Sequence, residues 1–493
     1  MTAAFATQNS TATSSRSSLS AGNDDIGEPP LSPSEQVETE LSQARELPSG
    51  FMSSLSAWWG SSERASQDSE LRLLRRLPFF RTENQPDVTP TASQPNPLTA
   101  RVSQVNISTP PSSSTRSTSE KRWINTLTIS SPESRTPENK KKAVVLTHGY
   151  GAAMGFMYRN WQVMGESAGE IGRSAYAIDW LGMGRSARPD PKELYAGKKA
   201  TVKERVEKAE NFFLESLESW RQAQGIEVMT LIGHSLGGYL STAYALKYPS
   251  RVDRLVLLSP AGIPENPYAP TNSEGVNVEE FEAAAKELGE SQTTTINGKK
   301  DGKTTPLEVK DSNRPPLMPE TTVSDGKRDN IPKPPTGRSR QFFAWAWEQG
   351  WSPFGIVRNL GPWGPMMVAR YSSRRFAALA GDELRDMHDY CWSITRAKGS
   401  SEYCISHLLA PGAYARMPLV NRVQKLKIPV LFSWMDIQGG RDAVKKMKEA
   451  GNNQGKVVEI PHAGHHLYLD NPKRTNAMLR EEILAAGRAS ASA

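Results

Sequence analysis

One serine in this chain stands where a serine does chemistry. The stretch "LIGHSLGGYL" (231–240) places Ser235 in a Gly-x-Ser-x-Gly frame, after the apolar run "VMTLIG" and before "LGGYLSTAYALKY". A strand that turns sharply into a helix at such a frame lifts the hydroxyl clear of the sheet as a nucleophile. The bland alternative is a structural turn serine. A nucleophilic serine needs a base, an acid and donors for a developing oxyanion.

The base is expected near the C-terminus. "EIPHAGHHLYLDNP" (459–472) offers three histidines, and His465 after Gly464 is the expected base, with His466 in reserve. His462, His465 and His466 also form a rival metal set, but no carboxylate or cysteine stands beside them at ligand spacing. Two backbone N–H groups are expected to form the oxyanion hole. They are those of Leu236, just after the nucleophile, and of Tyr150 in "LTHGYGAAMG". An ordinary glycine-rich turn is the alternative for the latter. This chemistry calls for neither a metal nor an organic cofactor.

Elements that would position these residues can be read around them. "KAVVLTHG", "SAYAIDW", "VMTLIGHS", "RLVLLSP", "IPVLFS" and "KVVEIPH" are short, nearly continuous apolar runs. Such runs suit parallel strands buried on both faces. "WINTLTIS" alternates, as an edge strand does. Helical stretches at 201–224, 236–248, 440–451 and 473–486 separate the runs, which predicts an α/β, mostly parallel, doubly wound sheet. The gap 261–425 interrupts the alternation and is assigned to an α-helical lid.

Composition marks out the rest. Residues 1–50, 83–120 and 271–338 are polar and poor in aromatics, and are expected to be disordered. The folded body is expected at 121–486, with 487–493 as a tail. Net charge is +7, although residues 1–50 hold seven acids and two bases. A basic body suits nucleic acid or acidic lipid. With no zinc-finger spacing and no Lys/Arg-rich recognition helix, nucleic acid is set aside. The two cysteines, Cys391 and Cys404, imply a reducing compartment or no structural role. No apolar run reaches the 18 residues of a spanning helix. Residues 1–23 lack acids and are Ser/Thr-rich, as in a mitochondrial transit peptide, with Arg16 their only base.

Residues 51–82 break the polar N-terminal pattern. Trp58 and Trp59 sit beside Phe51, Met52 and Leu55, followed by Leu71, Leu73, Leu74 and Leu77 interleaved with Arg72, Arg75 and Arg76. The segment reads as an aromatic and basic amphipathic membrane contact, or as a helix packed on the body. In the lid, Trp345, Trp347, Trp351, Phe354 and Trp363 crowd together. They are read as lining an acyl channel or entering a membrane, or as plain core. Trp351, Trp363 and Arg370 are taken as substrate-side residues. Arg370, Arg374 and Arg375 suit phosphates or a solvated basic face.

Several segments together resemble one group of α/β-hydrolases. They are "LTHGYGAAMGFMYRNW", "AIDWLGMGRSARP", "LIGHSLGGYLSTAYALKYPSRVDRLVLLSPAGIPE", "GWSPFGIVRNLGPWGPMMVARYSSRRF" and "HAGHHLYLDNP". The group contains the fungal cardiolipin-specific deacylase, the N-acylphosphatidylethanolamine lipase and the comparative-gene-identification lipase co-activator. The resemblance implies an α/β-hydrolase fold and a phospholipid substrate at a membrane or lipid-droplet surface. Ser235 matches the enzymatic branch, because the co-activator branch carries asparagine there. The alternatives are a lysophospholipid acyltransferase using acyl-CoA, for which His465 and Asp470 supply the family's His-x4-Asp pattern, and a non-enzymatic lipase partner. In the residue reading, Asp470 instead shapes the following helix cap. The family's acid lies in a longer loop after the penultimate strand. Here the chain reads "IPVLFSWMDIQGG", with Ser433 where the acid would precede Trp434. Either Asp436 serves, or a proper acid is missing, and Asp442 is the next carboxylate. A peripheral membrane protein of the mitochondrion is expected, with lipid droplet or cytoplasm as alternatives.

Overall fold

The computed structural model describes residues 47–107, 122–197, 200–265, 345–411, 414–434 and 438–491. Asp436 and the whole polar insertion 271–338 lie outside them. Eight strands make one sheet. They are β1 (Thr99–Ile107), β2 (Arg122–Ser130), β3 (Lys142–Thr147), β4 (Ser174–Ile178), β5 (Val228–His234), β6 (Val252–Leu258), β7 (Val430–Trp434) and β8 (Gly455–Glu459). Their order is β1-β2-β4-β3-β5-β6-β7-β8. The first two join antiparallel and β4 to β8 run parallel with β3.

Apolar residues alternate between two cores across the sheet, as a period of two requires. Val145, Leu231, Leu255 and Leu257 enter one core; Val144, Leu146, Ile232, Val256 and Leu258 enter the other. Helices α1 (Phe51–Trp59) and α2 (Glu63–Leu74) precede the sheet. Next come α3 (Trp161–Glu170), α4 (Val202–Ala223) and α5 (Leu236–Lys247). The lid supplies α6 (Pro353–Asn359), α7 (Gly364–Arg375) and α8 (Gly381–Arg396), before α9 (Gln438–Glu449) and α10 (Pro472–Ala491). Buried residues of α4, α5 and α9 fill the first core, and those of α3 and α10 the second. Helices on both faces of a mostly parallel sheet are the α/β doubly wound layout. Strand order reverses at β3, and in such sheets ligands bind beyond the carboxyl ends of the strands.

Three expectations change. Residues 99–107, read within a disordered linker, form β1. The strand pairs along its whole length with β2, from Thr99 opposite Ser130 to Ile107 opposite Arg122. Consequently "WINTLTIS" is not an edge: β2 is flanked by β1 and β4. Its mixed pattern arises because Trp123 and Thr128 are half-buried while its other residues are buried.

The third change concerns the basic stretch within 51–82. Helix α2 packs on the body rather than facing out as a membrane contact: Leu73, Leu74 and Leu77 are buried. Burying such side chains contributes about 1.5–3 kcal/mol each. Arg72 Nε lies 2.9 Å and Arg76 Nη2 2.6 Å from the two carboxylate oxygens of Asp386 on α8. On the same helix Glu70 is fully buried, accepting from Asn125 Nδ2 at 2.7 Å and Arg185 Nη1 at 2.9 Å. Burial first, and Asp179 second, push its carboxyl up to about 7.

Helix α1 behaves differently. Its buried Ser54 donates to Pro362 O at 2.6 Å and accepts from Met366 N at 2.9 Å, fastening it to the lid. Phe51, Met52 and Trp59 remain exposed, and Phe51 meets the exposed ring of Trp363 at 4.7 Å.

Candidate active site

Ser235 sits between β5 and α5 at φ 53°, ψ −119°. Left-handed backbone is costly for a residue with a Cβ and persists only where its surroundings impose it. Here Ser235 N donates to Leu258 O at 3.0 Å, and Ser235 O accepts from Tyr239 N and Ala261 N, each at 3.1 Å. Glycine is needed around it. A Cβ on Gly237 would fall 2.5 Å from His148 O, and one on Gly149 would fall 2.8 Å from Ser235 Cβ. The loop after β3 is therefore pressed against the elbow.

His465 lies in the loop after β8. Its Nε2 is 2.9 Å from Ser235 Oγ, so a neutral imidazole accepts the serine proton. Burial, then the charge of Arg375, push this imidazole down to about 4. The loop is braced twice. Gly464 N donates to Asp470 Oδ2 at 2.8 Å, and His234 Nε2 donates to the carbonyl of His465 at 2.9 Å. Asp470 thus ties the histidine loop, whereas the cap it was expected to shape is made by Asn471, whose Oδ1 accepts from Arg474 N at 3.1 Å. The reserve base His466 is buried in an aromatic group, 5.4 Å from Tyr468 and 5.9 Å from Phe156. His462 is exposed.

Leu236 is the first residue of α5, so its N–H has no intrahelical acceptor. Tyr150 follows Gly149 in the loop pressed on the elbow, and its ring lies 5.4 Å from Phe354 of α6. Each stands one residue beyond the contact between Gly149 and Ser235. The loop is held by a neutral His148. Trp180 N donates to Nε2 at 3.0 Å and Nδ1 donates to Gly149 O at 2.8 Å. Asp179 Oδ1 accepts from Met154 N at 2.7 Å on the far side of the same loop. Asp179 and His234 were not singled out in sequence, and His148 only as part of the oxyanion loop, although each stands inside a quoted motif.

The third partner is less complete. Asp436 lies outside the described residues. Ser433, at the end of β7, is buried, and its Oγ has no partner among the described residues. Asp442 is exposed on α9. In the lid, Trp351 and Trp363 are exposed while Trp347 is buried and donates from Nε1 to Leu409 O at 3.0 Å. Arg370 is exposed on α7.

The chain is similar to known alpha/beta hydrolases. A family model described as alpha/beta hydrolase fold matches residues 142–472. The chain is 31% identical over 385 residues to a probable 1-acylglycerol-3-phosphate O-acyltransferase of Oryza sativa subsp. japonica, covering 75% of this chain and 73% of that protein. It is 27% identical over 358 residues to the (lyso)-N-acylphosphatidylethanolamine lipase of Mus musculus, covering 70% and 80%. Against the human 1-acylglycerol-3-phosphate O-acyltransferase ABHD5 it is 26% identical over 357 residues, covering 70% and 78%. The chain belongs to the alpha/beta hydrolase fold family, in the group that includes these lipases and acyltransferases.

Proposed function

We propose that this protein is a serine acyl hydrolase that removes a fatty acyl chain from a phospholipid at a membrane surface. The carrying observation is the 2.9 Å contact between His465 Nε2 and Ser235 Oγ at a left-handed elbow. His465 takes the serine proton as Oγ attacks the ester carbonyl. The N–H groups of Leu236 and Tyr150 receive the oxyanion. Collapse breaks the ester C–O bond, and the proton on His465 leaves with the alcohol. Water, deprotonated by the same imidazole, then releases the fatty acid and restores Ser235. The lipid substrate is supported by the relatives, a lipase and acyltransferases by name. A cardiolipin-type substrate and a mitochondrial membrane are the specific forms of this reading.

The surface is supported by Phe51, Met52, Trp59 and Trp363, which expose aromatic and apolar area on α1 and the adjoining lid. Tryptophan favours the interface, where its ring is apolar and its N–H stays wet. Ser235→Ala should abolish both fluorophosphonate labelling and ester hydrolysis in a protein of unchanged melting temperature. Labelling that survives would remove Ser235 from its role.

A second reading has its own support. Two of the relatives named above are acyltransferases, and an acyl-serine can pass its acyl group to a lysophospholipid hydroxyl instead of to water. Product analysis separates the two. Free fatty acid released without acyl-CoA supports hydrolysis; new diacyl product only when acyl-CoA is present supports transfer.

A further inference from the structure

Helix α7 carries three arginines, and they are not equivalent. Val368, Ser372 and Phe376 are buried at four-residue spacing and mark its inward stripe. Arg370 and Arg374 lie on the exposed side. Arg375, three residues after Ser372, falls at the edge of the inward stripe and is half-buried. The stripe seats the end of α7 on the base loop. Phe376 stacks on His466 with centroids 6.3 Å apart and planes 25° apart, and His466 follows His465.

No carboxylate among the described residues forms an ion pair with Arg375. The nearest in effect is Asp470, which feels its charge but accepts from the backbone of Gly464. The field of the guanidinium also acts on His234, His465, His466 and Tyr468. This arrangement works against the chemistry described above. General-base catalysis passes through an imidazolium on His465, and the positive charge of Arg375 nearby destabilises it. A half-buried guanidinium that no carboxylate among the described residues pairs with is also unfavourable in itself. Both penalties are relieved if the substrate brings an anion to Arg375. A phosphate suits it well, because the planar fork of donors matches phosphate oxygens.

We propose that Arg375 binds the phosphate carried by the lipid substrate, so that the site selects phosphate-bearing acyl esters over neutral ones. The inference rests on the serine acyl-transfer reading and names the substrate class of that same site. The phosphate is assigned to the lipid headgroup rather than to free anion in solution.

The test uses the full chain and two esters with the same oleoyl chain on glycerol, 1-oleoylglycerol-3-phosphate and 1-oleoylglycerol, in mixed micelles. Arg375→Gln should lower kcat/KM for the phosphate ester by about 10- to 100-fold, mainly through KM, since a charged hydrogen-bonding pair is lost. The rate on 1-oleoylglycerol should rise rather than fall, because the variant removes a positive charge beside the His465 imidazolium. Arg375→Lys, which keeps the charge, should recover part of the loss and guards against a folding defect. Equal losses on the two esters, or no loss on either, would overturn the proposal. Millimolar inorganic phosphate should leave wild-type turnover of 1-oleoylglycerol unchanged. Inhibition that disappears in Arg375→Gln would show a free-anion site and overturn the headgroup assignment. Ser235→Ala, run beside these variants, separates the two levels. Hydrolysis that persists in it defeats the acyl-site reading itself. Hydrolysis abolished there, with Arg375→Gln losing activity equally on the two esters or on neither, defeats only the assignment of Arg375.

Discussion

His234 and His465 are joined by a hydrogen bond from Nε2 of the first to the main-chain carbonyl of the second, at 2.9 Å. The residue before the nucleophile therefore holds the backbone of the base, and the elbow and the histidine loop move as one. Burial first, and the neighbouring His465 imidazole second, keep the His234 imidazole well below its usual range. His234→Ala should lower kcat by about 10- to 100-fold with KM little changed, because small misplacement of a catalytic group is that costly. His234→Asn, which keeps a donor, should retain more activity. Steady-state kinetics on a short soluble ester checks this, and an unchanged kcat in His234→Ala would show that the pin is dispensable.

Stability should fall as the medium is acidified from pH 6.5 to 5. Burial lowers His148, His234, His388, His407, His465 and His466 below the ordinary histidine value, to about 4 for His388 and His465. In that window the unfolded chain binds protons at His388 and His465 and the native chain largely does not, so unfolding is favoured as pH drops. Glu70, raised to about 7, works the other way, as does Asp470, whose carboxyl is also raised. His388 and His465, both near 4, outweigh Glu70 near 7, and the other imidazoles shift the same way, so the melting temperature should fall as pH drops through this window. Calorimetry across this range would show a flat or rising melting temperature if these imidazoles were charged in the native state.

The parallel sheet was legible because β3 to β7 are near-continuous apolar runs, and the sites on it because Ser235 and His465 stand in motifs tied to strand ends. β1 was hidden for a physical reason. In "TARVSQVNI" the polar–apolar alternation slips at the adjacent Ser103 and Gln104, within Ser-, Pro- and Gln-rich sequence, and several of its side chains face solvent. Helix α2 was ambiguous because a basic amphipathic face looks the same whether its counter-charge is a lipid headgroup or a carboxylate. Its partners, Asp386 and Asp389, lie about three hundred residues away in sequence, beyond any local pattern. Arg375 was in view as one of three arginines, but only the stripe of α7 separates it from Arg370.

Asp386→Ala should loosen the N-terminal helices. It leaves Arg72 and Arg76 without the carboxylate that both share, which should cost roughly 1.5–3 kcal/mol for the charge-assisted bonds. Chemical denaturation would report the loss, and limited proteolysis should show earlier cleavage near 60–62. Resistance equal to wild type would mean that Leu73, Leu74 and Leu77 hold α2 without help from charge.

Trp59→Ser combined with Trp363→Ser should weaken vesicle binding by at least about ten-fold, since each large apolar side chain contributes about 1.5–3 kcal/mol when buried. Both rings are exposed, so melting temperature and turnover of a soluble ester should hold. Flotation with anionic vesicles is the measurement. Binding that survives the double change would place the contact away from α1 and its lid neighbour.

The acid is the remaining partner to test. In this fold it follows the nucleophile and precedes the histidine in the chain, beyond a strand of the central sheet. Ser433 ends β7 and carries no carboxylate; Asp436 is the first acid after it and Asp442, exposed on α9, the second. We expect Asp436 to orient His465 through the nitrogen that faces away from Ser235. Asp436→Asn should then lower kcat by about four orders of magnitude, through the wrong tautomer and an unstabilised imidazolium. Fluorophosphonate labelling should slow in parallel, because that reaction also requires Ser235 deprotonated. Asp442→Asn should change neither rate. A variant that tolerates Asp436→Asn with full turnover would show that the imidazole works without that carboxylate. Inserting Tyr-Gly-x-x-Asp before Trp434, to restore the longer family loop, should in that case raise turnover.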